Sequence, residues 1–285
     1  MGGVLLAINC QEDKLYAYRH LIAEMYAGRF DELAFVVNET CEPDPAFANV
    51  VATWKPPPYC PARECPCNDP YYGRHADGVH SKHPRLAELA AHSGGFDAVL
   101  FADTDCVLSP SLDSSAVLGM LEGVDVVMPP IEYRPREDWS WCWTHRESGY
   151  PSLDRLARYL DRGRLIDHWR ALGGAPIDPE PPPPLPPMFA AFSDWLAFRS
   201  DFLREVAPDF IAAQEVWHEV AVPTIILHAT PRIRFSHCLV LWEGDRDRPL
   251  PWLVDELRRH DFVHPIKFGR HGAELLEAYR GLRPG

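Results

Sequence analysis

The sequence predicts an α/β protein with a mainly parallel central sheet flanked by helices. Two observations predict it. Short, continuous apolar runs recur along the first half: GVLLAIN (3–9), ELAFVVN (32–38), DAVLFAD (97–103) and VDVVMPP (124–130). Between them lie segments whose apolar residues fall at helical spacing. Continuous rather than alternating runs mark strands buried on both faces, and strand–helix–strand order is how parallel strands are connected.

Each element has its own signal. GVLLAIN is a first strand. KLYAYRHLIAEMYAG (14–28) places Leu15, Tyr18, Leu21, Ile22 and Met25 on one helical face, and Gly28 marks its end. ELAFVVN is a second strand and NVVATW (49–54) a third. HPRLAELAAHSGG (83–95) is a helix with Pro84 in its first turn and glycines at its end. DAVLFAD and VDVVMPP supply two more strands. A tryptophan-rich stretch, WSWCW (139–143), precedes a helical segment for which Ser152 is a plausible N-cap. MFAAFSDWLAFR (188–199) resumes as a strand. The region 201–229 reads as helical in parts, interrupted by Pro208 and Pro223. No internal repeat is visible.

The chain has 285 residues, enough for one large α/β domain or two small ones. The proline-rich APIDPEPPPPLPP (175–187) reads as a surface loop rather than a linker, because a strand follows and the chain is too short for two full cores. We therefore expect one domain over 1–285. Residues 1–130 and 131–285 are its two halves. A formal net charge of -13 argues against a nonspecific nucleic-acid binder. No apolar run approaches a membrane span, and the start lacks the pattern of a signal peptide, so the expected compartment is the cytoplasm.

Eight cysteines are present. Cys60, Cys65 and Cys67 cluster ahead of His75, His80 and His83, and three thiols with one histidine could close a zinc site. The C-x4-C-x-C spacing is equally open to a disulfide or to free thiols.

The chemistry concentrates where DAVLFAD runs into Asp103-Thr104-Asp105. In open α/β sheets ligands bind beyond the carboxyl ends of the strands. Two hard oxygen donors there suit Mg2+ or Mn2+, which in turn hold phosphate oxygens. The competing reading is that the two carboxylates cap the following turn, SPSLDSSAV (109–117).

AVLFADTDCVL resembles the DxD segment of GT-A glycosyltransferases, which use nucleotide-diphosphate sugars. The resemblance extends over the order of elements up to residue 103. It implies a metal-dependent glycosyltransferase with a Mn2+ or Mg2+ cofactor, a nucleotide-diphosphate sugar donor, and a sugar, lipid or protein acceptor. By resemblance Asp103 faces the sugar or ribose and shares the metal, Asp105 binds the metal, and Thr104 between them lies with the donor. Many members add a C-terminal histidine ligand. FVHPIKFG (262–269) offers His264, with Lys267 three residues on for the diphosphate. Asn9 at the end of the first strand is a candidate nucleotide contact, as are Lys82 and Arg85. An inverting enzyme needs a carboxylate base; Asp194, Glu215 and Glu219 are candidates. Glu219 before VAVPT resembles the segment that carries the base in some inverting members. Trp139, Trp141 and Trp143 alternate and could present one face for stacking or for packing.

Three rival readings use the same chain. DTDCVL also resembles the first motif of haloacid-dehalogenase-type phosphatases, with LVLWEGDRD (239–247) mimicking a later acidic motif. That motif usually opens its fold, and the lysine expected between the two acidic motifs is absent here. A nucleotide-sugar pyrophosphorylase would carry a Gly-rich loop with Arg and Lys after the first strand, and none is found. The remaining rival is a non-catalytic nucleotide-sugar-binding module.

Overall fold

The computed structural model describes residues 2–10, 16–39, 41–52, 82–133, 159–178, 186–213, 218–241, 248–266 and 268–282. The strands are β1 (Val4–Asn9), β2 (Glu32–Asn38), β3 (Ala48–Ala52), β4 (Ala98–Asp103), β5 (Val107–Leu108), β6 (Val126–Met128), β7 (Glu132–Tyr133), β8 (Phe189–Ala190), β9 (Trp195–Arg199), β10 (Ile233–Phe235), β11 (Leu239–Val240) and β12 (Phe262–His264). The helices are α1 (Arg19–Tyr26), α2 (His83–His92), α3 (Ser114–Met120), α4 (Arg162–Ala171), α5 (Ser200–Ala212), α6 (His218–Ala229), α7 (Leu250–Arg259) and α8 (Phe268–Arg280).

The expected mainly parallel sheet is present, in the order β10-β6-β9-β4-β1-β2-β3. All neighbours pair in parallel except β9, which runs antiparallel to both β4 and β6. Successive side chains of β1 alternate between two cores, as a pleated strand requires. Val4, Leu6 and Ile8 face a layer that includes α1 and α8, while Leu5 and Ala7 face α2, α5 and α6. Burial on both faces is why β1 and β4 carry no polar residue before Asn9 and Asp103.

β1 lies between β2 and β4. The chain moves outward through β2 and β3 and then returns to the other side of β1. This reversal opens a crevice at the carboxyl ends of β1 and β4, where Asn9 and Asp103 are register partners. A second, three-stranded sheet, β11-β12-β5, carries the C-terminal segment to the same place: Val263 pairs with Val107 just beyond the DxD turn.

The structure differs from the sequence expectations in two places. MFAAFSDWLAFR is two strands, β8 and β9, and β9 is antiparallel; this puts Asp194, just ahead of β9, at the carboxyl end of β4. Pro208 and Pro223 lie inside α5 and α6 rather than breaking them. A proline cannot bond the carbonyl four residues back, and at Pro223 that carbonyl, Glu219 O, instead accepts from Ala191 N at 3.0 Å. α4 starts at Arg162, where Asp161 caps it through Arg164 N; Ser152, the N-cap expected for this helical stretch, lies outside the described residues. Among the described residues no helix is long and apolar enough to cross a membrane.

Candidate active site

The site is assembled at the crevice between β1 and β4. Asp103 is 3% exposed. Its Oδ1 accepts from Asn9 Nδ2 at 2.7 Å, and its Oδ2 pairs with Lys82 Nζ at 2.9 Å. Its backbone N–H donates to Asp194 O at 2.7 Å. Burial raises the Asp103 carboxyl above its ordinary range, and the neighbouring Lys82 ammonium works against that shift.

Lys82 stands just ahead of α2 and is 1% exposed. An ammonium has three N–H donors. In Lys82 they face Asp103 Oδ2, Ser193 O at 2.5 Å and Asp194 Oδ1 at 3.5 Å. Burial pulls the Lys82 pKa down, but Asp103 and Asp194 more than offset it and the net shift is upward. These contacts make Lys82 a clamp that holds Asp103 and Asp194 together.

His264, at the end of β12, stands between two carboxylates. Its Nε2 is 3.2 Å from Asp105 Oδ1 and its Nδ1 is 3.2 Å from Asp194 Oδ2. The Nδ1 contact is close enough for charge attraction but lies off hydrogen-bond alignment. Burial lowers the imidazole pKa, and Asp194 and Asp105 more than offset it, raising it to about 9. The small sheet fixes this approach: Ile266 N donates to Asp105 O at 2.8 Å, and Leu241 N to His264 O at 2.6 Å.

The remaining candidates divide into scaffold and site. The Thr104 hydroxyl donates to Asn9 O at 2.8 Å, tying the turn after β4 to the end of β1, so its hydroxyl hydrogen is committed to the backbone. Arg85 is buried, its guanidinium pushed down to about 10 chiefly by burial, and it donates to the Asn38 side chain at the end of β2. Asn9 Oδ1 is buried and without a hydrogen-bond partner, an acceptor at the mouth of the crevice. Glu219 lies close enough to Lys82 to favour its charged form. The capping role considered for Asp103 and Asp105 belongs to Asp113, whose side chain accepts from Ala116 N at 2.8 Å.

A divalent cation fits the chemistry of Asp105 and His264. A carboxylate oxygen and an imidazole nitrogen meet there, and the imidazole, held protonated by its two carboxylate neighbours, would release that proton to ligate. Among the described residues no group of three His, Cys, Asp or Glu side chains is arranged as a ligand set. Further ligands would be water or ligand oxygens, as hard divalent ions accept.

Solved structures align with much of the chain at low identity and TM-scores below 0.5. Core-mannan synthase A from Aspergillus fumigatus, in an Mn/GDP form, aligns with a TM-score of 0.43 and 8% identity over 82% of this chain and 73% of its own. The galactosyltransferase LgtC, in complex with donor and acceptor sugar analogs, aligns with a TM-score of 0.41 and 11% identity over 98% and 94%. Mouse xyloside xylosyltransferase 1 aligns with a TM-score of 0.36 and 10% identity over 98% and 93%. No protein-family model and no curated protein sequence matches the chain.

Of the residues singled out in the sequence, Asn9, Lys82, Asp103, Asp105, Asp194 and His264 converge. Lys267, Glu215, the three alternating tryptophans and Cys60, Cys65 and Cys67 lie outside the described residues. His83, grouped with those cysteines in the sequence, is buried at the start of α2, and burial pushes its imidazole down to about 3. Two features escaped the sequence reading. The Ser193 carbonyl is main chain and leaves no residue-type signal. The Asp194–His264 contact joins segments brought together only by the antiparallel turn of β9 and the small sheet.

Proposed function

We propose that this chain is a divalent-cation-dependent glycosyltransferase acting on a nucleotide-diphosphate sugar. One observation carries the reading: Asp105 and His264, 159 residues apart in the sequence, meet at 3.2 Å beside the topological switch point of the sheet. Asp105 and His264 hold the cation in this reading. When bound, it offsets the charge that develops on a departing diphosphate.

The chain's own residues do the rest. Asp103, fixed by Asn9 and Lys82, anchors the turn that carries Asp105 toward the cation. Asn9 Oδ1 accepts a hydrogen bond from the nucleoside. Asp194, tied to Lys82 and His264, positions the histidine. Glu219 takes the proton from the attacking hydroxyl if the reaction inverts configuration. Lys267 supplies positive charge to the diphosphate.

The phosphatase reading is less well supported. A nucleophilic aspartate needs a carboxylate oxygen exposed to the phosphorus, whereas both Asp103 oxygens are engaged and the residue is buried.

The test is a thermal-shift screen of nucleoside diphosphates with and without Mn2+, followed by assay of sugar-nucleotide turnover. Mn2+-dependent stabilisation by a diphosphate, with release of nucleoside diphosphate from a sugar nucleotide, is the expected result. Phosphate release from phosphomonoesters with beryllofluoride capture at Asp103 would replace this reading with the phosphatase.

A further inference from the structure

Beyond the carboxyl ends of β6 and β10 the same sheet edge opens into a concave pocket of about 650 Å3. Glu132, Tyr133, Trp169, Gly174, Asp178 and Phe235 contribute to its wall. β6 runs parallel to β4 and lies two strands away, roughly 10 Å at ordinary strand spacing, so the two strands end toward the same edge of the sheet.

We propose that this pocket binds a sugar residue of the acceptor, so that the acceptor is an oligosaccharide; the proposal rests on the glycosyl-transfer reading above. The chemistry of the wall selects this class. Tyr133 and Phe235 are half-buried rings, and an aromatic face suits the C–H face of a pyranose. Glu132 and Asp178 are exposed carboxylates that accept from hydroxyls, and such charge-assisted hydrogen bonds are the stronger kind. Among the described lining residues there is no Lys or Arg.

The wall is pre-formed. Gly173 adopts a positive φ of 74° at the end of α4. The next residue, Gly174, rests directly on the indole of Trp169, where a Cβ would come within 2.1 Å of the ring. Trp169 Nε1 donates to Ala175 O at 2.7 Å, and the indole packs on Phe189 with centroids 5.0 Å apart. A fixed wall limits the ordering cost of binding. The pocket is also joined to the reaction centre. β7 pairs with β8, and from β8 the chain runs through Phe192, a ring 42% exposed, to Ser193 and Asp194.

The experiment is saturation-transfer NMR with lactose, maltose, cellobiose, mannobiose and xylobiose, without donor or metal, on wild type and two variants. Glu132→Gln/Asp178→Asn alters exposed groups only, and Tyr133→Ala removes a ring. At least one disaccharide should bind wild type, and each variant should weaken it at least fivefold, with no displacement by a tetralysine peptide. Binding by none of the five, binding indifferent to both variants, or displacement by the peptide would overturn the proposal. Donor binding by wild type, measured separately by thermal shift, tells the two failures apart. Diphosphate binding without disaccharide binding removes the pocket assignment alone. Disaccharide binding without diphosphate binding removes the transferase reading and leaves a saccharide site.

Discussion

Lys82 and Asp103 form a buried ion pair, Nζ to Oδ2 at 2.9 Å, with side chains 1% and 4% exposed. Removing one partner of such a pair strands the other charge, which typically costs about 3–5 kcal/mol. Lys82→Met should therefore lower unfolding free energy by roughly that amount in urea titrations. Lys82→Met/Asp103→Asn should recover part of the loss, because no lone carboxylate is left at that position. A double variant no more stable than the single one would mean that Asp103 is not the group Lys82 neutralises.

Asp105→Asn keeps the shape of the side chain and removes its charge. If Asp105 holds the cation, wild type at a ligand concentration a hundred times Kd gains about 2.7 kcal/mol that the variant lacks. Thermal unfolding with a nucleoside diphosphate, with and without Mn2+, reads this directly. An undiminished Mn2+-dependent shift in the variant would remove Asp105 from the metal site.

His83 gives the protein an acid sensitivity. Burial holds its folded pKa near 3 against an ordinary 6.5. Between those values the unfolded chain binds the extra proton, so stability from this group is present above pH 6.5 and is lost as pH falls toward 3. From pH 7 to 5 the loss is about 2 kcal/mol. Urea unfolding of wild type and His83→Leu at the two pH values should show the steeper decline in wild type. Equal slopes would show that His83 does not titrate differently on folding.

Much of this arrangement was legible in the sequence because parallel strands buried on both faces are written as uninterrupted apolar runs. LLAIN and VLFAD both end at the first polar residue, and those two residues, Asn9 and Asp103, proved to be register partners. The function of Lys82 was not legible. Its position ahead of the helix was visible, but its fully engaged donors depend on Ser193 O and Asp194, which arrive from more than a hundred residues away. Pro223 misled for a local reason: the carbonyl it leaves unbonded in the helix finds Ala191 N, a partner no helical pattern encodes. His264 could be nominated by its spacing from Lys267, yet its place beside Asp105 is set by the pairing of β12 with β5, strands too short to stand out as apolar runs.

Asp194 and Glu219 separate by what already occupies them. The Asp194 carboxylate already faces Lys82 and His264, at 3.5 and 3.2 Å, so its oxygens are taken up by contacts within the protein. Glu219 is half-buried at the first turn of α6, its backbone anchored through Ala191 N, and it sits within the influence of Lys82. Hydrolysis of a sugar nucleotide, with water in place of the acceptor, needs the same base and no knowledge of the acceptor. Glu219→Gln should slow this turnover by about 10²–10⁴-fold, the usual worth of a positioned base. Its affinity for the nucleoside diphosphate by calorimetry should stay within about twofold, since an interaction made only in the transition state leaves ground-state binding alone. Asp194→Asn should behave differently, weakening Mn2+-dependent diphosphate binding along with turnover, because it releases His264 and Lys82 together. If Glu219→Gln turns over within fivefold of wild type while Asp194→Asn loses turnover with binding intact, the two roles are exchanged and Asp194 is the base.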